Sequence, residues 1–365
     1  MGFQLPAYQP PDFHLPPLTH APLAVFKAVV RAGVAPDDYH ATSIFPEYFH
    51  LGPGQWVLAA PSRMDCVVVR SPDHTLAVKE FRRLQPGDLV AVGRRENGED
   101  GIWVHATGFA VTTDNGPEKF AFRGSRTRET SFSIDYDELY ALLRHEREHG
   151  VVVWVLGPAV VFDRDARAAF CGLIADGFVD ALLAGNALAT HDIEGALFGT
   201  ALGQELYRKR PAAQGHYKHL DALNRVRGAG SIRQAVQEGL IADGIMKGLV
   251  EREIPFVLAG SIRDDGPMPE VVADAYDAQD QMRAIISQAT TIIGLATQLH
   301  TIATGNLSPS FIVDPRFGVR PVYFYAVDMS EFAVSKLADR GSLSAKSILT
   351  NVQDFVVTLH RGLQR

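Results

Sequence analysis

From Leu23 to about Arg128 the apolar positions come in short runs of strand length: Trp56-Val-Leu-Ala-Ala60, Cys66-Val-Val-Val69, His74-Thr-Leu-Ala-Val78, Asp88-Leu-Val-Ala-Val92 and Gly101-Ile-Trp-Val-His105. Glycine, proline and aspartate punctuate them, as at Pro72-Asp73 and Pro86-Gly87-Asp88, which is how strands joined by turns read. The pattern predicts a compact β-rich unit of barrel or sandwich type over residues 23–130, with one helix from Ala24 to Ala32 at its start. After Ser133 the period changes. Asp135 to His149 places Leu139, Leu142 and Leu143 on one face of a helix. From there apolar strands alternate with amphipathic helices, as in a parallel sheet covered on both faces. Strands are expected at Val151–Leu156, Val179–Leu183, Phe256–Ala259, Thr291–Ala296 and Val322–Val327, and the longest intervening helix from about Pro269 to Ala289.

The fold class that follows is α/β: a Rossmann-like parallel sheet with helices on both faces over residues 131–365, preceded by the smaller β-rich domain. Residues 1–22 stand apart. Pro6, Pro10, Pro11, Pro16, Pro17 and Pro22 exclude helix and central strand. This arm is expected either to be flexible or to lie as an extended strap over a neighbouring subunit, burying Phe3, Tyr8, Phe13 and Leu15.

Composition narrows the partners. With 46% hydrophobic and 21% charged residues and a formal net charge of −7, the chain lacks the basic face that nucleic acid requires. No run approaches the ~18 apolar residues of a membrane span. Cys66 and Cys171 form no CxxC pair, which points to a reducing compartment. The first residues resemble neither a signal peptide nor a myristoylation site, so a cytoplasmic protein is expected.

Candidate chemistry gathers where strands meet helices, the place at which open α/β sheets bind ligands. One corner, Val179 to Glu194, passes through Gly185-Asn186 and brings in His191, Asp192 and Glu194, which are read as standing near a helix start. A second, Phe256 to Pro267, carries Arg263, Asp264 and Asp265. Capping acids and a simple turn are the plain readings of the two; that they face one cleft is the sharper one. Asp328 ends the strand from Val322. It would either accept hydrogen bonds from a ribose diol, selecting NAD over NADP, or cap the following helix. The glycine-rich dinucleotide fingerprint is absent, since Gly228-Ala-Gly230 follows a helical stretch rather than a strand. A dinucleotide would instead rest on corners such as Gly185-Asn186 and Ala303-Thr-Gly-Asn306. His145-Glu-Arg-Glu-His149 matches the zinc pattern HExxH, but its charged surroundings and the absence of a third ligand favour a solvated helix end. No metal is expected. The basic, histidine-rich stretch from Arg208 to Arg233 belongs near the cleft or at a subunit interface, with His216 and His219 as anion or substrate contacts. Cys66 reads as a strand residue of the core.

Several long segments resemble one family. Gly157-Pro-Ala-Val-Val161, Asp180 through Glu194, Asn224-Arg-Val-Arg227, Ala229-Gly-Ser-Ile232, Pro255 through Pro267 and Val334 through Ser342 closely resemble archaeal ornithine cyclodeaminases and the C-terminal module of bifunctional arginine dihydrolase/ornithine cyclodeaminases. The resemblance runs from about Pro36 to the C-terminus. The His-Asp-Ile-Glu194 corner is also similar to the NAD-binding sheet of deoxyhypusine synthase-like proteins. What this implies is bound NAD, removal of ammonia from ornithine through an imine with return of the hydride to give proline, and a homo-oligomer, dimer or tetramer. It implies catalytic roles among His191, Asp192, Asp264, Asp265 and Lys336, and substrate contacts among Cys66, Glu194, His219, Asn224 and Arg263. The implied NAD contacts are Gly157, Pro158, Gly185, Asn186, Ala187, Gly260, Ser261, Gly305, Asn306, Asp328, Asp339, Arg340, Gly341 and Ser342. Departures are a missing N-terminal α/β module and extra residues over 307–321, expected beside the cofactor corner. Two other readings stand: an aminoalkyl transferase using Lys247 or Lys336, and a catalytically silent NAD-binding protein.

Overall fold

The computed structural model describes residues 3–109, 111–113, 116–118, 132–264, 266–330 and 342–365. The N-terminal unit contains two antiparallel sheets. Strands β1 (Val25–Ala28), β4 (Val67–Arg70), β5 (Leu76–Lys79) and β6 (Leu89–Val92) form one in the order β1-β6-β4-β5. Strands β2 (Glu47–Gly52), β3 (Gln55–Leu58) and β7 (Ile102–Val104) form the other, with β2 central. A short hairpin, β8 (Val111–Thr113) with β9 (Gly116–Glu118), follows.

The helix expected from Ala24 to Ala32 does not form. Val25 to Ala28 instead pairs antiparallel with Val92 to Leu89, because a ready strand partner outweighs weak local helix spacing. Strand β2 escaped the pattern because Glu47 and His50 lie within it. Both are nevertheless buried: Glu47 meets His40 Nε2 at 2.9 Å and the Ser43 amide at 2.6 Å, and His50 Nδ1 reaches the Pro22 carbonyl at 2.9 Å. Burial of polar groups is tolerated when each finds a partner.

The proline-rich arm lies on its own chain. Phe13 stacks on Trp56 and Tyr8 hydrogen-bonds Tyr48 through their hydroxyls at 2.7 Å, while Phe3 packs edge-on against Tyr323 of the second domain. Leu15 stays exposed. Proline keeps the segment extended, and the aromatic residues between the prolines anchor it.

The second unit begins with α1 (Phe132–His149). It continues through β10 (Val152–Leu156), α2 (Arg164–Ala175), β11 (Ala181–Gly185) and α3 (Asn186–Phe198). A two-residue hairpin, β12 (Thr200–Ala201) and β13 (Gln204–Glu205), leads to α4 (Gly215–Ala229), α5 (Ile232–Gln237) and α6 (Ile245–Glu251). Then come β14 (Phe256–Ala259), β15 (Val271–Val272), α7 (Ala275–Ile286), β16 (Thr291–Leu295) and α8 (Gln298–Leu307). The hairpin β17 (Phe311–Asp314) and β18 (Gly318–Pro321) precedes β19 (Tyr323–Asp328), β20 (Ser344–Leu349) and α9 (Val352–Leu363). The seven-stranded sheet has the order β15-β14-β11-β10-β16-β19-β20, with every pairing parallel. The chain enters at β10, moves outward through β11, β14 and β15, then crosses to β16 and moves outward the other way. The switch point therefore falls between β10 and β16.

Alternation along the strands divides the core. Trp154, Leu182, Ile293 and Tyr325 face α1, α2, α3 and α9, while Val153, Leu183, Ile292 and Phe324 face Met282 of α7 and Leu307 of α8. The helix expected over 269–289 is shorter, since Val271–Val272 adds an edge strand and Asp274 caps a helix that starts only at Ala275. Strand β20 was not foreseen from the apolar pattern; its Ser344-Ala-Lys-Ser347 opening is too polar. The basic stretch from Arg208 is mostly the helix α4, which Gly230 ends in a left-handed conformation. The extra residues over 307–321 do not lie beside the carboxyl ends of the strands. They form the β17–β18 hairpin at the amino ends, where Phe311 packs with Phe109 and Leu343.

The HExxH segment is likewise not simply solvated. Glu146 is fully buried and accepts from Arg320 Nη2 at 2.5 Å and from the Thr290 hydroxyl. No helix among the described residues is long and apolar enough to cross a membrane. The expected domain boundary at 130/131 lies outside the described residues.

Candidate active site at the carboxyl edge of the parallel sheet

At the switch point the loops after β10 and β16 touch. The Gly157 amide donates to the Leu295 carbonyl at 2.8 Å, and a Cβ at Gly157 would stand 2.0 Å from the Ala296 carbonyl oxygen. Only glycine fits so close an approach of two backbones. Pro158 then opens a short 3-10 turn through Phe162. Ala296 itself has φ +48°, in the left-handed region that non-glycine residues seldom occupy.

Next to it, β11 ends at Gly185 and α3 begins at once with Asn186. The helix thus starts five residues before His191, so His191, Asp192 and Glu194 lie inside it rather than at its start. Asn186 ties two corners together: its Oδ1 accepts from the Met268 amide at 3.0 Å and from the Thr190 hydroxyl at 3.2 Å. The loop after β14 curls on itself, with the Ser261 amide donating to Asp264 Oδ2 at 2.9 Å and the Asp264 amide to the Ser261 carbonyl at 2.9 Å. Arg263 and Ile262 are exposed there. His300, in the first turn of α8, completes the group. A Cβ on Gly185 would lie 2.8 Å from its Cε1. Sequence reading passed over this histidine, although it follows β16 as His191 follows β11.

A second cluster lies about 7 Å further along α3, by the rise of five helical residues. His191 Nδ1 meets Glu194 Oε2 at 2.8 Å, and its ring packs against Phe162 and lies 6.3 Å from that of His219 on α4. Glu194 is fully buried and also accepts from the Thr200 hydroxyl and the amides of Leu202 and Gly203. Burial pushes its carboxyl up, but the bonds from His191, Gly203 and Thr200 outweigh that and hold it below the usual carboxylate range. Asn224, further along α4, is exposed.

Asp192 turns the other way. Fully buried, it accepts from Arg167 Nε at 2.7 Å and from the amides of Ile245 and Met246 at 3.0 and 2.8 Å. It caps α6 and pins that helix to α2. Both oxygens are committed to holding the fold.

Other candidates sit elsewhere. Gly305 and Asn306 belong to the last turn of α8 rather than to a corner, and the Asn306 carbonyl accepts from Arg63 Nε at 2.7 Å. Ser342 is buried at the amino ends of β19 and β20, donating to the Val322 carbonyl at 2.9 Å. It lies at the edge of the sheet opposite the corners. Cys66 is buried beside Arg63, Glu80 and Arg283, and burial raises its thiol to about 11, which suits a core residue and not a nucleophile. Asp328 does end β19 and accepts from the Ser330 amide at 2.8 Å, as a cap would. His216 is exposed and packs on Tyr217. Asp265, Lys336, Asp339, Arg340 and Gly341 lie outside the described residues. Among the described residues no three metal-ligating side chains gather.

The corner fits a dinucleotide on physical grounds. Helices α3 and α8 both begin here without a side-chain cap, at Gly185 and Thr297, whereas Asp163, Asp274 and Asn351 cap α2, α7 and α9. Bare N-terminal amides and the helix dipole attract phosphate. Glycines at 157, 185 and 260 let the corners close on one another: a Cβ there would meet the Ala296 carbonyl, the His300 ring and the Val272 carbonyl.

A parallel sheet of this order, with its ligand groups outside the carboxyl ends, defines a Rossmann-fold domain. The chain belongs to the arginine dihydrolase ArgZ-like family, whose C-terminal Rossmann-fold domain matches residues 138–359. It is 38% identical over 340 residues to the ornithine cyclodeaminase of Methanothermobacter thermautotrophicus, spanning 90% of this chain and 76% of that protein. With the bifunctional arginine dihydrolase/ornithine cyclodeaminase ArgZ of Synechocystis it shares 36% over 346 residues, 93% of this chain but 46% of that one. These relatives are enzymes, and so is this chain. Among solved structures, a conserved protein of the LOR/SDH type from Methanococcus maripaludis superposes with TM-score 0.83 at 34% identity, covering 94% of this chain and 99% of that one. AgrE in ternary complex with ornithine and NAD+ superposes with TM-score 0.59 at 33% identity, covering 96% and 47%.

Proposed function

We propose that this chain is an NAD-dependent cyclodeaminase converting ornithine, or a close relative, to proline or its analogue plus ammonia. The observation that carries the reading is that the likeness to enzymes named ornithine cyclodeaminase extends over 340 residues and so includes both domains. The ternary complex of AgrE with ornithine and NAD+ supports the choice of ligands. Backbone at Gly157-Pro158, Gly185-Asn186-Ala187 and Gly260-Ser261 would hold NAD. Bound there, NAD supplies a reversible hydride acceptor.

The chain's own groups supply the rest. One of ornithine's two nitrogens leaves as ammonia and the other stays in the ring, so a base must take a proton from an ammonium and an acid must return one to the leaving nitrogen. Asp264 stands at the corner as a carboxylate for an ammonium, and exposed Arg263 beside it as a cation for the substrate carboxylate. Glu194 orients His191 through Nδ1, leaving Nε2 for proton exchange. The transferase reading requires a lysine at the corner, yet Lys247 is on α6 and pairs with Glu251 at 2.8 Å. Exposed Val25 in edge strand β1, with exposed Leu23 and Val30 flanking it, supports association of copies, which light scattering tests.

The decisive assay is ammonia release from ornithine with catalytic NAD. Stoichiometric proline and ammonia without NADH accumulation support the reading. Net NADH accumulation, or no ammonia, overturns it.

A further inference from the structure

His300 is held at the switch point with more care than a surface histidine needs. Its ring occupies the space above the last residue of β11. A Cβ at Gly185 would lie 2.8 Å from Cε1 and 3.6 Å from Nε2. Thr297 Oγ1, in the same helical turn, stands 3.3 Å from Nδ1. Nε2 has no hydrogen-bond partner among the described residues, and the side chain is half-buried.

The turn that delivers the ring is strained. Ala296, with φ +48°, is pinned by its amide to the Val327 carbonyl at 3.0 Å and crowded on its carbonyl side by Gly157. A left-handed alanine costs of order 1–3 kcal/mol and persists only where its surroundings enforce it, most often at functional sites. Here the strain sets the direction in which α8 starts, and with it the direction of His300.

The groups around the ring come from three elements. Strand β11 presents Gly185, with the Ala259 carbonyl of β14 close behind it. The loop after β14 presents Asp264, the charged group that acts on the ring. Helix α8 presents Thr297. Burial lowers the basicity of the imidazole and Asp264 offsets this only in part, so near pH 7 the ring is neutral and able to accept a proton.

We propose that His300 is a catalytic residue of this site, taking a proton from the substrate ammonium through Nε2 and returning it to the departing ammonia. The proposal rests on the cyclodeaminase reading. Nδ1–H donates to Thr297 Oγ1 throughout. A proton passes from substrate nitrogen to Nε2, giving imidazolium. When the carbon–nitrogen bond breaks, the bonding pair stays on nitrogen and the proton passes to it, leaving His300 as it began. Asp264, across the corner, pairs with the second ammonium until that nitrogen gives up a proton and attacks, a transfer that falls to His191 Nε2. His191 lies further along α3 with its Nδ1 bound to Glu194, so the neutral imidazole nearest the corners is His300.

The test uses the full chain with NAD and three readouts: ammonia release, NAD binding by calorimetry, and rescue by free imidazole. His300→Ala should lose about 100-fold or more in kcat while NAD affinity stays within about threefold, and imidazole should restore about tenfold or more, within the range of general acid–base catalysis. The acidic limb of the kcat/KM profile should vanish with it. A kcat within about fivefold of the parent, or a loss without imidazole rescue, overturns the proposal. His300→Gln, which keeps the volume, serves if the alanine variant does not fold, and is judged on the acidic limb alone. Should the parent enzyme release no ammonia from ornithine, it is the cyclodeaminase reading that fails. His300 is then judged by its 15N resonance, assigned by loss in His300→Gln: a shift at Nε2 on adding NAD with a diamino acid supports a place in the site, and an unmoved signal removes it.

Discussion

Asp192→Asn separates a carboxylate that holds the fold from one that moves protons. In the native chain its two oxygens take three donors: Arg167 Nε at 2.7 Å, Ile245 N at 3.0 Å and Met246 N at 2.8 Å. The amide that replaces it has one acceptor oxygen and presents an NH2 group where a donor already points. One bond to a charged or dipolar donor is lost, about 1.5–3 kcal/mol when charge is involved. Arg167 also loses its buried counter-ion; breaking such pairs costs about 3–5 kcal/mol. Asp243, 65% exposed and bonded to Arg167 Nη2 at 3.0 Å, remains as a second partner, so the lower end applies: about 3 kcal/mol. At roughly 2–4 °C per kcal/mol for a domain of this size, Tm should fall by roughly 6–12 °C. The assay is thermal unfolding by circular dichroism, with ammonia release and NAD binding measured well below the midpoint. Turnover of the folded variant should stay within about tenfold of the parent. An unchanged Tm with turnover lost by about 100-fold or more would return Asp192 to proton transfer and refute this reasoning.

Three further predictions follow from single contacts. Gly157→Ala drives a methyl into the Ala296 backbone at 2.0 Å; we expect about 1–3 kcal/mol of destabilisation and weakened NAD binding by calorimetry, and normal affinity would move the cofactor off this corner. His105 takes the Trp103 indole N–H on Nδ1 at 3.4 Å and meets the Gln9 carbonyl through Nε2 at 2.7 Å, which requires the neutral ring. Burial lowers its pKa and the bond to Gln9 offsets this in part. Its contribution to stability is therefore complete above the unfolded value of about 6.5 and lost as pH falls through the lower folded value; His105→Gln should flatten that part of the Tm-against-pH curve, and an identical slope would exclude His105 as its source. Lys247→Ala removes an i,i+4 pair with Glu251 and should cost about 0.5 kcal/mol with no change in turnover; loss of turnover in folded protein would favour the lysine-dependent transferase.

The parallel sheet was the legible part of this chain. Strands buried on both faces read as unbroken apolar runs, and the five expected strands all appear at their places. What escaped notice was polar or paired from afar. Strand β2 contains Glu47 and His50, whose partners lie in other segments; β20 opens on serine and lysine; β1 is a strand because β6 is beside it. The candidate site was half legible. The Gly185-Asn186 corner was placed correctly and the one expected at Ala303-Thr-Gly-Asn306 was not, and a sequence does not distinguish a buried acid that binds a helix end from one that faces a ligand. Asp192 and Glu194, two residues apart on α3, point to different neighbours: one to α6 and Arg167, the other to His191 and the β12–β13 turn. His300 was missed because the arrangement that marks it, a ring over Gly185 and a left-handed Ala296, exists only across three strands.

The same geometry explains why the glycine-rich fingerprint is missing from a sheet suited to a dinucleotide. In the usual motif one loop carries several glycines, because one loop supplies the tight turn, the approach to phosphate and the helix contact. Here those duties are spread over different corners. Gly157 lets the loops after β10 and β16 meet, Gly185 makes room for His300 while leaving α3 uncapped, and Gly260 passes within 2.8 Å, measured from a Cβ built on it, of the Val272 carbonyl. Each glycine meets a steric requirement of its own, and none falls at a fixed offset from the next. A motif search along the chain finds nothing, although one condition behind the motif is met: helix N-termini without a side-chain cap at Gly185 and Thr297. It follows that single substitutions at these corners should fail differently. An added methyl at Gly157 strains backbone against backbone and should weaken NAD binding together with stability. At Gly185 it displaces the His300 side chain, and should reduce turnover while Tm stays near the parent value. Parallel losses at both positions would argue for one undivided loop site instead.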